Sequence, residues 1–195
     1  MRRLDQADER GEAGVGGPAV AHRLAMNRSR RSPDPHGKAL EWFSQGPGPS
    51  KVTLHNRQRF VPLNLRWLRG FASLALPRCR EQSVDGHFSR KQMEEVEIAI
   101  VSDRVIARVH AQFMGIPGAT DVLTFEHGEI LISAETAQRC AAEFRHAVEE
   151  EIALYTVHGL LHLNGFEDTL PPDAARMKRV QKRIWKTCLA QLPTP

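Results

Sequence analysis

Residues 120–133 read TDVLTFEHGEILIS. Two short apolar and β-branched runs, Thr120–Phe125 and Glu129–Ser133, stand on either side of Glu126-His127-Gly128. Each run has the composition of a strand, and so short a link requires antiparallel pairing through a tight turn. The elements on either side follow from this hairpin. Upstream, VEIAIVS (96–102) has the pattern of a short buried strand, and Ser102 is a good N-cap for DRVIARVHAQFM, with Asp103 in its favoured first turn. Further upstream, Val52 and Leu54 alternate with polar neighbours in KVTLHN as in a strand. Apolar residues at 65, 68, 71 or 72, and 75 then predict a helix. Downstream, Ser133 caps a helix to about His146, a further helix spans about 149–163, and a last one spans about 173–191 after Pro171 and Pro172. There is no internal repeat. The expected fold class is α+β: a small mixed sheet of about four strands packed with four or five helices in a single domain.

That domain is expected over 51–195. Residues 1–50 hold seven of the chain's 14 glycines, and stretches such as GEAGVGGP and SQGPGPS break any element before it buries a face. They are expected to form a disordered extension. The 195 residues suffice for one domain with a real core. A net charge of +4 permits a nucleic-acid partner without requiring one. Cys79, Cys140 and Cys188 are odd in number and widely spaced, which argues against a disulfide framework and for a reducing, cytoplasmic compartment. With no long apolar run and no signal-peptide pattern, no membrane partner is expected.

The chemistry lies in HGLLHLNGFEDT, residues 158–169. His158 and His162 are four apart on a helix, so both imidazoles can reach one cation. Zinc suits such ligands and needs at least one more. Gly165 is placed to end the helix in a left-handed turn, which returns the chain toward the histidines and brings up Glu167 and Asp168. Leu160, Leu161 and Leu163 supply an apolar wall. Asp168 is the first choice of third metal ligand and Glu167 the alternative. A pair of histidines satisfied in a core is the competing reading of the spacing alone.

The stretch resembles the His-Gly-x-Leu-His-Leu-x-Gly-Tyr-Asp-His signature of the YbeY-type rRNA maturation endoribonucleases, matched by His158, Gly159, Leu161, His162, Leu163 and Gly165. ATDVLTFEHGEILIS is similar to the same family's Pro-Thr-Asp-Val-Leu-Ser-Phe segment and following Gly-Asp-Ile-x-Ile. The order of elements agrees over about residues 51–190. The resemblance implies a small α+β fold, one Zn²⁺ per chain and single-strand-specific RNA cleavage. It also implies rRNA processing with the small ribosomal subunit or its assembly factors as partner. The candidate catalytic carboxylates are Asp121, which would orient a water or simply cap its loop, and Glu167.

Two departures from the family pattern bear on activity. Asp168 stands where the family has a third histidine, and a carboxylate can replace it as a zinc ligand. Met114 stands six residues before the Thr-Asp pair, where the family usually has an arginine, and methionine cannot make bidentate phosphate contacts. His110 replaces an asparagine four residues earlier. Arg104 and Arg108 could compensate, although a solvated face is their simpler role. Gly159 occupies the position of the general base in H-E-x-x-H peptidases, which argues against peptide hydrolysis. Arg176, Lys178, Arg179, Lys182, Arg183 and Lys186 make the last helix basic, with Met177, Val180, Ile184 and Cys188 as its apolar seam. Such a face could bind phosphates or merely be solvated. The alternative to an enzyme is a non-catalytic zinc-containing ribosome-assembly or RNA-binding factor.

Overall fold

The computed structural model describes residues 22–23, 51–82 and 95–195. In chain order the elements are β1 (His22–Arg23), β2 (Lys51–Asn56), α1 (Leu65–Arg80), β3 (Glu95–Val101), α2 (Asp103–Met114), β4 (Val122–Phe125), β5 (Glu129–Ser133), α3 (Ala134–Phe144), α4 (Val148–Leu163) and α5 (Pro171–Leu189). The sheet order is β1-β4-β5-β3-β2. It is the expected mixed sheet of four strands with five helices, plus a two-residue edge in which His22–Arg23 run parallel to β4. The rest of the expected extension lies outside the described residues. No helix among the described residues is long and apolar enough to cross a membrane.

β4 and β5 are antiparallel, with Phe125 opposite Glu129. The Gly128 amide donates to the Phe125 carbonyl at 2.9 Å and closes the turn at a φ of 100°, which glycine adopts without strain. β3 pairs in parallel with both β2 and β5. Side chains alternate across this sheet. Val96, Ile98, Ile100, Val122, Ile130 and Ile132 join the main core with α1, α4 and α5, while Ala99, Val101, Leu123 and Leu131 pack with Ile106 of α2.

Two helix starts follow local chemistry. Ser102 caps α2 by accepting from the Val105 amide, and Ser133 caps α3 by accepting from the Thr136 amide. α3 stops at Phe144 rather than about His146 because Arg145 turns left-handed at a φ of 58°. α5 starts at Pro171 rather than about 173, since prolines fit the first helical positions, where no amide is needed. α4 lies centrally and is buried almost all round from Glu151 to Leu163, as expected of a core helix rather than an amphipathic surface one. It approaches the sheet closely at Gly159, where a Cβ would meet Ile130 Cγ2 at 2.9 Å and Thr124 Oγ1 at 3.3 Å.

Candidate metal centre

The end of α4 builds the site. The Gly165 amide donates to the His162 carbonyl and the Phe166 amide to the Leu161 carbonyl, both at 3.0 Å, with Gly165 at a φ of 86°. These paired bonds are a Schellman stop, as the glycine foretold. Phe166 folds under the helix and is buried. Its carbonyl then faces His162, whose Nδ1 lies 2.9 Å from it. A carbonyl can only accept, so Nδ1 carries the proton and Nε2 is left with its lone pair. On His158, Nδ1 lies 3.4 Å from Gln181 Oε1. The Gln181 amide nitrogen donates to the Leu154 carbonyl at 3.2 Å, which fixes the oxygen toward His158. His158 therefore has the same tautomer.

The two Nε2 atoms face one space, 3.0 Å apart. Asp168 Oδ2 joins them at 3.7 Å from His158 Nε2 and 3.9 Å from His162 Nε2. His158, His162 and Asp168 form a group able to hold a metal. Ligand atoms about 2.0–2.1 Å from a tetrahedral ion stand roughly 3.3 Å apart, and the three observed separations bracket that value. His158 and His162 are almost fully buried and Asp168 half-buried. Burial and the neighbouring His162 push the His158 pKa down to about 3, against the opposing hydrogen bond to Gln181. At neutral pH the His158–Asp168 contact is therefore not an ion pair.

Glu167 is half-buried beside Asp168, and Asp121 is buried at the start of β4; neither belongs to the three-ligand group. Asp121 Oδ1 accepts from the Thr120 hydroxyl at 3.0 Å and from the Val122 amide at 2.9 Å. Its pKa is raised by burial, opposed by these bonds and reinforced by the charge of Glu151. Met114 is the last residue of α2, with Arg104 and Arg108 exposed on the same helix. On the other side of the site, the Arg176 guanidinium lies over the Phe166 ring, 5.4 Å from its centroid. The cations of α5 that the sequence singles out are all exposed.

Sequence reasoning missed Gln181, and it missed a second polar cluster. Glu151 and Tyr155 continue the face of α4 that carries His158 and His162, at i, i+4, i+7 and i+11. Glu151 Oε2 bonds His146 Nε2 at 2.6 Å. The Tyr155 hydroxyl has its pKa raised by burial first, then by hydrogen bonds to Cys140 and Glu151 and the charges of Glu151 and Asp121. The signal was a polar stripe on an otherwise apolar helix.

A family model described as Endoribonuclease YbeY matches residues 75–188. Among curated proteins, the chain is 38% identical over 100 residues to Endoribonuclease YbeY of Anaeromyxobacter sp. (strain Fw109-5), covering 46% of this chain and 52% of that protein. It is 35% identical over 103 residues to Endoribonuclease YbeY of Myxococcus xanthus, covering 46% and 35%. To Endoribonuclease YbeY of Desulforamulus reducens it is 36% identical over 106 residues, covering 46% and 69%. The match thus spans about half the length of the first relative and about a third of the second.

Proposed function

The chain belongs to the Endoribonuclease YbeY family, and on that premise we propose that it is a zinc-dependent endoribonuclease. Its substrate is single-stranded RNA, specifically rRNA maturing on small-subunit particles in the cytoplasm. The observation that carries this reading is the convergence of three ligand atoms, His158 Nε2, His162 Nε2 and Asp168 Oδ2, with the outer ring nitrogens of both histidines held by Gln181 and Phe166. These three would hold zinc, which when bound would supply a Lewis acid for phosphodiester hydrolysis.

The chain's own residues do the rest. Glu167, half-buried next to the ligand Asp168, takes and returns the proton of the attacking water. Asp121 anchors the opening of β4 through Thr120 and Val122 and so holds the sheet that α4 packs on. Arg176 and the exposed cations of α5 bind the RNA backbone, which makes affinity fall with salt. Arg176 thereby supplies the guanidinium that Met114 does not.

The test is cleavage of a labelled single-stranded oligoribonucleotide by the zinc-loaded protein, beside the same sequence as a duplex. The expected result is cutting of the single strand only, stopped by chelator, restored by zinc and absent in His158→Ala. Cutting that survives both chelator and His158→Ala would overturn it. Met114 favours a second reading, a zinc-containing assembly factor without activity. RNA binding with no cleavage under any metal would select it.

A further inference from the structure

We propose that Gln181 is the positioning residue of the metal centre, an α5 side chain that sets the His158 tautomer and couples the metal to the basic helix. The inference rests on the metal-centre reading above. The two histidines are held in different ways. His162 is oriented by a backbone carbonyl, that of Phe166, which no substitution removes. His158 is oriented by a side chain from a different helix, and only the Gln181 oxygen occupies that position among its hydrogen-bond partners.

Gln181 is fixed at both ends of its amide. Its nitrogen donates to the Leu154 carbonyl, which in the helical pattern also accepts from the His158 amide. One amide therefore grips both the turn of α4 that bears His158 and the imidazole itself. The sequence context is unusual for so polar a side chain. Met177, Ile184 and Cys188 are the buried residues of α5, and Gln181 falls four after Met177 and three before Ile184, on the seam where packing alone calls for an apolar residue. The amide is half-buried there. Residues flanking it, Arg179, Lys182 and Arg183, are exposed, so an RNA strand bound to that face loads the helix that orients His158.

The chemistry is that of an outer partner to a metal ligand. An acceptor on Nδ1 keeps the Nε2 lone pair available and the ring in one orientation, and loss of such a partner typically weakens metal binding about 10- to 100-fold. Gln181→Leu keeps the volume and removes both bonds. Gln181→Glu keeps the acceptor and removes only the donor.

The experiment is zinc competition against a chromogenic chelator on the full chain, with the His158 tautomer read from imidazole ¹⁵N shifts in the metal-free protein. The expected result is a zinc Kd about 10- to 100-fold higher in Gln181→Leu, mixed His158 tautomers, and substantial recovery of both in Gln181→Glu. A Kd within twofold of wild type, together with an unchanged His158 tautomer in Gln181→Leu, would overturn the inference while leaving the metal centre intact. If Gln181→Leu does not fold, Gln181→Glu with a Kd more than tenfold weaker than wild type overturns it as well. A wild-type chain that binds no zinc, with Asp168→Ala indistinguishable from it, would instead remove the metal reading itself.

Discussion

One face of α4 carries two buried polar clusters, and they differ in how donors and acceptors balance. At the N-terminal half, Glu151 meets His146, Tyr155 reaches Glu151 and Cys140, and Asp121 accepts from Thr120 and Val122. Each acceptor there has a donor, so the cluster closes on itself. At the C-terminal half, the protons of His158 and His162 are committed outward to Gln181 and Phe166. What faces inward is the two Nε2 atoms and a carboxylate, a group that could hold a metal. Burial and residue type are alike in the two halves, so the direction of the protons is what separates a ligand site from an internal network.

The largest effect expected from that difference is at Asp168. Asp168→Ala should take bound zinc from about one ion per chain to near zero, read by elemental mass spectrometry on desalted protein. In the metal-free protein the same change removes a half-buried side chain rather than a core one, so its unfolding free energy should change little. A metal-free Asp168→Ala that is clearly less stable than wild type would mean that the lower cluster is also a structural network.

Glu151→Ala should do the opposite. It strips a carboxylate that is 3% exposed from His146 and Tyr155, and breaking a buried pair on one side costs about 3 kcal/mol or more. Urea unfolding should register that loss while zinc stoichiometry holds. Loss of zinc with little change in stability would merge the two clusters into one site.

Gly159 stands within the C-terminal half, next to His158. Gly159→Ala places a methyl 2.9 Å from Ile130 Cγ2, and because that branch sits on a stiff side chain the helix must move. The expected cost is about 1–3 kcal/mol, smaller than that of Glu151→Ala. Zinc affinity should fall with it, since His158 is the preceding residue. Unchanged affinity at reduced stability would show that Ile130 yields instead of α4.

Much of this was legible because it was local. The hairpin at 120–133, the serine caps at 102 and 133, and the glycine stop at 165 each depend on a few neighbouring residues. The trio that could hold a metal was legible for the same reason, spanning only His158 to Asp168. The parallel pairing of β3 with β2 and β5 was not, because register between distant strands leaves no local mark. Gln181 is 23 residues from His158, and Asp121 is separated from Glu151 by a hairpin and a helix. A glutamine or glutamate in a helix reads as a solvated residue until its partner across the fold is known.

The smallest effect concerns pH, and it sets Asp121 against Asp103 on the other face of the sheet. For Asp103, burial pushes the pKa up, but hydrogen bonds from Ser133, Arg139 and Thr136 and the Arg139 charge outweigh it, so the net shift is down. The folded state then binds fewer protons than the unfolded one below the ordinary carboxylate range. Stability from Asp103 is fully present above about pH 4 and is lost as the pH falls through its lowered pKa. Asp121 is shifted up, chiefly by burial. There the folded state holds its proton longer, so ionisation costs stability as the pH rises from about 4 through the raised value. The two asparagine variants should therefore diverge in opposite senses across urea midpoints from pH 3 to 7. Asp103→Asn should be weaker than wild type near neutrality and approach it in acid. Asp121→Asn should gain on wild type as the pH rises, since asparagine retains the oxygen that Thr120 and Val122 address and carries no charge to desolvate. Parallel curves for Asp121→Asn and wild type would mean that the Thr120 and Val122 bonds fully offset the burial of the Asp121 charge.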